Sequence, residues 1–190
     1  MRRALGIAVG LALIAAALSP LPQAQASCVT EARKCQEKPL IGVELTAGAV
    51  SRPDAGGRVS YTLDYSMTWT PSFAPYWGAF WVGGRFPKGA RGPTRAVLLD
   101  ATTGGRLAVL RCREHSDGVW CAAGSRVPHR GRIVFTTRLA PGADATARLG
   151  FDSFEGLGRE EAGRRLSRAQ ARERFCNHRF TTTVTTTPAP

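Results

Sequence analysis

The sequence predicts a mainly β, antiparallel sandwich with a short C-terminal helix, and three observations carry that expectation. The first is strict alternation from Arg58 to Trp69: Val59, Tyr61, Leu63, Tyr65, Met67 and Trp69 occupy every second position, with polar residues between them. A strand with one face in a core and the other in water has this period. The second is a series of short apolar runs separated by turn residues, with no helical pattern between them, which indicates an antiparallel sandwich or barrel, the sandwich being preferred. The third is a change of character after Phe154, where charged residues take over and Ser167-Arg-Ala-Gln170 matches a capping box.

Taken in order, Met1-Arg2-Arg3, the apolar run Ala4 to Leu18 and the small residues Ala24-Gln25-Ala26 read as a secretory signal peptide cut after Ala26. The apolar run is too short to span a bilayer comfortably. Residues 27–187 are then expected to form one secreted domain, with 188–190 as a flexible end and no transmembrane segment in the mature chain. Strands are expected at Leu40 to Ala47, Arg58 to Trp69, Ala79 to Phe86, Arg95 to Asp100, Arg106 to Cys112, Val119 to Ala122, Arg132 to Leu139 and Ala143 to Asp152. Turn residues lie between them, as at Ser51 to Gly57, Pro87-Lys-Gly89, Thr103-Gly-Gly105 and Pro141-Gly142. Glu160 and Glu161 precede Arg164 and Arg165 by four residues, the favourable order for helical ion pairs, and the capping box starts a helix from Arg168 to Cys176. The Thr-rich tail from Phe180 has two readings: an extended or glycosylated stalk, or a closing strand with Phe180, Thr182, Val184 and Thr186 on one face.

All five cysteines, Cys28, Cys35, Cys112, Cys121 and Cys176, lie after the signal peptide, in a compartment where disulfides persist. Cys112 with Cys121 is the most local pairing. A two-residue turn at Asp117-Gly118 would set Cys121 opposite Glu114, so this bond requires a longer loop or a bulge. Cys176 is then expected to join Cys35 or Cys28, with Cys28 the preferred leftover thiol. Lipidation of Cys28 is a minority alternative: Ala26-Ser27-Cys28 fits the end of a lipoprotein site, but Gln25 and the prolines after Leu18 argue against it. No Cys-x-x-Cys pair exists, and His115, His129 and His178 do not sit at ligand spacings, so neither a metal nor another cofactor is expected.

Without Arg2 and Arg3 the 26 basic residues become 24 against 14 acidic ones, and only Lys34, Lys38 and Lys88 are lysines. Arginine and alanine this dominant are the composition of a high-GC bacterial genome, so the charge is a weak argument for nucleic acid. An anionic wall polymer, a phospholipid headgroup, a glycan or another envelope protein suits a basic exported protein better. Arg111, Arg113, Arg126, Arg130 and Arg132 are the candidate anion patch, placed around the disulfide loop.

The stretch WTPSFAPYWGAFWVGG, Trp69 to Gly84, holds three of the four tryptophans. Trp69 ends the alternating strand and belongs to the core. Pro71 to Trp77 reads as an apolar loop, either folded over an open end of the core or presented as a binding surface. Phe73, Tyr76, Trp77 and Trp81 are the candidate ligand-binding rings.

Gly57-Arg-Val-Ser-Tyr-Thr-Leu63, the Phe86 to Gly89 turn, Gly118-Val-Trp-Cys121 and Leu139-Ala-Pro-Gly-Ala-Asp-Ala-Thr-Ala-Arg-Leu149 together resemble the repeated Ig-like domains of bacterial surface proteins, over about Ala55 to Phe151. The resemblance implies an Ig-like sandwich and an envelope location, and it supplies no catalytic residues. The chain departs from that pattern in its aromatic stretch and in the helix before Cys176.

A search for chemistry finds no Gly-x-Ser-x-Gly and no phosphate-cradling lysine loop; Gly83-Gly84 and Gly104-Gly105 read as turns. Cys176 with His178 reads as half a disulfide beside a histidine, and Asp152 with Glu155 as solvated loop charges. The expectation is therefore a secreted or cell-envelope, disulfide-stabilised, non-catalytic structural or interaction protein. The alternative is a carbohydrate or wall-polymer binding module using the 73–81 aromatics.

Overall fold

Alternation is realised as read. Val59, Tyr61, Leu63, Tyr65 and Met67 are buried along a ten-residue strand, and the residues between them are not. The structure, a computed structural model, describes residues 27–28, 39, 41–49, 54, 56–68, 72–73, 76–124, 127–140, 146–157 and 166–186, with backbone alone for 27–28, 72–73, 76–79 and 156–157. Residues 1–26, read from sequence as a signal peptide, together with Cys35, Trp69 and residues 188–190, lie outside the described residues.

In chain order the elements are β1 (Ser27–Cys28), β2 (Val43–Ala49), β3 (Arg58–Met67), β4 (Ser72–Phe73), β5 (Tyr76–Arg85), β6 (Arg95–Asp100), β7 (Arg106–His115), β8 (Gly118–Gly124), β9 (Arg130–Arg138), β10 (Thr146–Leu157), α1 (Arg168–Arg174) and β11 (Cys176–Thr185). Every described pairing is antiparallel, in the order β1-β11-β10-β5-β8-β7-β6-β9-β3-β2, with β4 on β5.

The mainly β, antiparallel expectation holds with its one short helix, and of the sandwich and barrel forms the strands build one nearly closed, barrel-like sheet. The cause is β7: its first half pairs with β6 from Arg106 to Arg111, and its second half pairs with β8 from Cys112 to His115. One strand thus carries the ladder round the corner that a sandwich leaves open. At the other end of the order, β2 packs alongside β11.

Rings from opposite walls meet inside. Tyr65 of β3 lies 4.9 Å from Phe151 of β10 across the interior, and Phe151 in turn lies 6.0 Å from Phe80 of the neighbouring strand β5. Phe86 bridges Tyr61 and Phe135 at 5.9 and 5.7 Å. Ile41, Leu63, Ile133 and Leu149 fill the space between, each at most 2% exposed.

Two local readings change and a third, left open between two forms, is decided. Within the expected loop from Pro71 to Trp77, Ser72 and Phe73 pair with Trp77 and Tyr76, so β5 starts at Tyr76 rather than Ala79, while Pro71, Ala74 and Pro75 lie outside the described residues. Gly83 and Gly84 form no turn but lie mid-strand between β8 and β10. The Thr-rich segment resolves to the closing strand, with Phe180 opposite Phe151 and Val184 opposite Ala147. The capping box is present in both directions: Ser167 Oγ accepts from the Gln170 N–H, and the Gln170 side chain accepts from the Ser167 N–H.

Candidate functional site

The β7–β8 turn sets the first part of the geometry. His115 faces Gly118, Glu114 faces Val119, Arg113 faces Trp120 and Cys112 faces Cys121. The turn residues are therefore Ser116 and Asp117, one position earlier than the Asp117-Gly118 signal suggested. That slip removes the need for a bulge and places the two cysteines directly opposite, with Cα atoms 3.8 Å apart and a disulfide between them. Cys176 is disulfide-bonded as well. With Cys112 and Cys121 joined to each other, its partner is Cys28 or Cys35, and that connectivity lies outside the described residues. The thiol reading of Cys176 beside His178 is thereby closed.

Moving the turn also turns Asp117 onto the outer face of the β5–β8–β10–β11 wall, where helix α1 covers a second apolar cluster. Trp81, Trp120, Phe154, Ala171 and Phe175 are buried there, and Leu166 packs against them. Trp81 is 7% exposed and meets Phe154 edge-on at 5.0 Å, so its ring has no face free for a ligand. The side chains of Phe73, Tyr76 and Trp77 lie outside the described residues.

The edge of this cluster is a charged clamp. Arg168, 2% exposed, donates from Nε to Asp152 Oδ2 at 2.7 Å and from both terminal nitrogens to the two oxygens of Asp117, each at 2.8 Å. A further contact joins Arg168 Nη2 to Asp152 Oδ2. Arg179 donates to Asp152 Oδ1 at 2.6 Å and to Asp117 Oδ2 at 2.7 Å. Both guanidinium groups stack on Trp120, at 4.2 Å for Arg168 and 5.0 Å for Arg179. Asp152 has no solvent exposure, so its charge is affordable only because two arginines and four N–H···O contacts surround it.

Asp117 is held well below the usual carboxylate range, chiefly by hydrogen bonds from Arg168, with burial opposing and Arg179 reinforcing the effect. A lowered folded-state pKa stabilises the protein above the unfolded value of about 4 and is lost as pH falls through the folded one. Melting temperature should hold from neutral pH to about pH 5 and fall below about pH 4. Asp117→Asn should start lower at neutral pH and lose less on acidification. Parallel wild-type and mutant profiles would remove Asp117 from the account.

Asp152 and Glu155, weighed from sequence as loop carboxylates, sit within β10 because that strand runs on to Leu157. Asp152 points outward into the clamp, and Glu155, an odd number of residues later, points inward. There Glu155 Oε1 accepts the Ile41 N–H at 3.1 Å, and Glu155 Oε2 lies 3.9 Å from His178 Nε2. Ser153 stands opposite His178 across the β10–β11 ladder. This Ser, His, Glu set has the residue types of a hydrolytic triad. Its members are 0%, 1% and 6% exposed, which denies a substrate access to the serine.

The third region is the outer face of β3, β9, β6 and β7. Val109, Val97, Val134 and Thr62 stand abreast in register across it. Leu99 and Leu107 adjoin this row, Leu107 being the extra residue of a bulge between β6 and β7. Leu107 and Val109 are 51% and 47% exposed, the only large hydrophobics so exposed among the described residues.

Arginines flank the row on both sides. Arg111 faces Arg95 on one side; on the other, Arg132 makes a two-pronged contact with Asp64 at 2.6 and 2.9 Å. Beyond Arg95, a groove of about 260 Å³ is lined by Arg58, Arg91, Arg138, Thr94, Thr136 and Thr137, among others. Arg58 faces Arg138 across the ladder, and Arg91 bridges to Arg138. Among the described residues, Arg58, Arg91, Arg95, Arg111 and Arg138 have no carboxylate within ion-pair distance.

The five arginines expected to cluster around the disulfide loop are not brought together. Arg111 and Arg113 lie on one side of the valine row and Arg130 and Arg132 on the other, while Arg126 lies outside the described residues. The grouping that does form needs Arg58, Arg91, Arg95 and Arg138. Sequence reading missed these because they come from separate elements and only register makes them neighbours.

Among the described residues, no group of His, Cys, Asp and Glu is placed to hold a metal ion, and no helix is long and apolar enough to cross a membrane. No protein-family model matches the chain, and no curated protein matches it. Among solved structures the chain is similar to AggA, the major subunit of aggregative adherence fimbriae type I from Escherichia coli. The TM-score is 0.31 at 9% identity, covering 78% of this chain and 95% of that one.

Proposed function

We propose that the protein is an exported, disulfide-locked module of the bacterial envelope that acts without catalysis, by presenting a binding face on a rigid barrel. The observation that carries this reading is the outer face of β3, β9, β6 and β7. Among the described residues, Arg58, Arg91, Arg95, Arg111 and Arg138 on this side form no salt bridge and Leu107 and Val109 stand exposed, whereas the buried charges under α1 are consumed in holding the helix. The Cys112–Cys121 bond and the disulfide-bonded Cys176 support an oxidising compartment. The glycan-binding alternative loses Trp81 and would rest on Phe73, Tyr76 and Trp77.

Expression of the full chain with a C-terminal tag in a high-GC bacterial host tests this reading. The expected product begins after Ala26, resides in the medium or wall fraction, and shows the Cys112 and Cys121 peptides linked in a non-reducing digest. An unprocessed cytoplasmic protein with both thiols free would overturn it.

A further inference from the structure

The face just described combines two features that one class of partner satisfies. A groove with Arg58, Arg91 and Arg138 and three threonines suits phosphate oxygens, since guanidinium groups donate in a fork and hydroxyls complete the shell. A row of aliphatics beside it suits a hydrocarbon phase. From Arg58 to Thr62, four residues along β3, the two features lie about 13 Å apart on the same surface.

We infer that this face docks the protein on an anionic phospholipid bilayer, in an extension of the envelope reading above. The arginines take lipid phosphates, while Leu107, Val109, Val97, Leu99 and Val134 rest at the boundary between headgroups and acyl chains. Charge complementarity selects this occupant. Among the described carboxylates, Asp64 is paired with Arg132, Asp100 accepts the N–H groups of Thr102 and Thr103, and Asp54, which accepts the Gly56 and Arg58 N–H groups, feels the charges of Arg58 and Arg138 without a salt bridge to either, so the groove keeps a net positive charge of three arginines against one carboxylate. A second copy of the chain would set arginine against arginine. A soluble polyanion would leave the aliphatics in water, where a patch of this kind costs solubility.

The test is co-sedimentation of the oxidised full chain with vesicles of phosphatidylcholine alone and with about one-third phosphatidylglycerol, at low and high salt. The chain is expected to sediment with the anionic vesicles and not the neutral ones, and to release as salt rises. Leu107→Ser with Val109→Ser, both exposed and so tolerated by the fold, should weaken vesicle binding by at least about tenfold. Arg58→Gln, Arg91→Gln and Arg138→Gln together should weaken it by about a hundredfold. Melting temperatures should stay at the wild-type value.

Soluble polyphosphate is the second arm, and the aliphatic pair should not affect its binding. Equal binding to neutral vesicles, no binding to anionic ones, or anionic binding unmoved by the Leu107 and Val109 changes would each overturn the lipid assignment. The last result would leave a polyanion site. An exported, oxidised protein that ignores vesicles sinks this inference alone, and a vesicle binder retained reduced in the cytoplasm sinks the envelope reading alone.

Discussion

Arg168→Ala is expected to destabilise the protein by about 3–5 kcal/mol, the range for removing one partner from a buried ion pair. Three losses coincide at this position. Asp152, with no solvent exposure, keeps only Arg179 as a charge partner. Asp117 loses both of its contacts to the buried guanidinium. Trp120 loses the cation stacked 4.2 Å from its ring.

Helix α1 has only seven residues, too few to persist without packing, so it depends on these contacts and on Ala171 and Phe175 to stay on the wall. Arg168→Lys keeps the charge without the fork and should fall between wild type and alanine. Asp117 is 19% exposed, so Asp117→Asn should cost less than Arg168→Ala. Chemical denaturation checks all three. A loss under about 1 kcal/mol for Arg168→Ala would mean that α1 is held by apolar contact alone.

What the sequence shows about this region differs by kind of interaction. The capping box is local, and Ser167 and Gln170 alone announce the start of α1. The alternation in β3 is equally plain, because each residue's face follows from its neighbour's. The clamp is not local: Arg168 reaches Asp117 across 51 positions and Arg179 reaches it across 62. No spacing rule links such residues before the strand order is known.

The β7–β8 turn lies between these cases. Asp117-Gly118 is a sound hairpin signal, yet the disulfide requires equal arm lengths from Cys112 and Cys121, and that requirement moves the turn to Ser116-Asp117. Applied first, the covalent constraint would have found the register. The barrel-like closure was hidden for another reason. A strand that changes partners midway reads the same as one that does not, so nothing in Arg106 to His115 distinguishes a shared strand from a sandwich strand. The basic face shares that obscurity, since Arg58, Arg91, Arg95 and Arg138 are scattered in sequence and become adjacent only through the β3–β9–β6 ladder.

The second large effect is expected at Gly84. A Cβ built there would lie 1.9 Å from the carbonyl oxygen of Arg148 and 3.0 Å from the Leu149 Cα, and the residue's φ of +148° is one that side chains rarely adopt. Both obstacles are backbone, which cannot rotate aside as a side chain can, so Gly84→Ala must push β5 away from β10. More than about 3 kcal/mol should be lost, combining overpacking with dihedral strain. Gly89→Ala separates the two contributions. It too has positive φ, +82°, but nothing lies within 4 Å of its Cβ, so only strain of about 1–2 kcal/mol applies.

Equal losses at the two sites would show that β5 and β10 can part without cost. Such freedom is inconsistent with the position of Gly84, paired with Leu149 on one side and Val119 on the other. Trp120 and Asp152 lie on those same flanking strands and make the floor and anchor of the clamp. Spreading β8 and β10 must therefore also lengthen the Arg168 contacts. Gly84→Ala combined with Arg168→Ala should cost less than the sum of the two single losses, because the first change already loosens what the second removes.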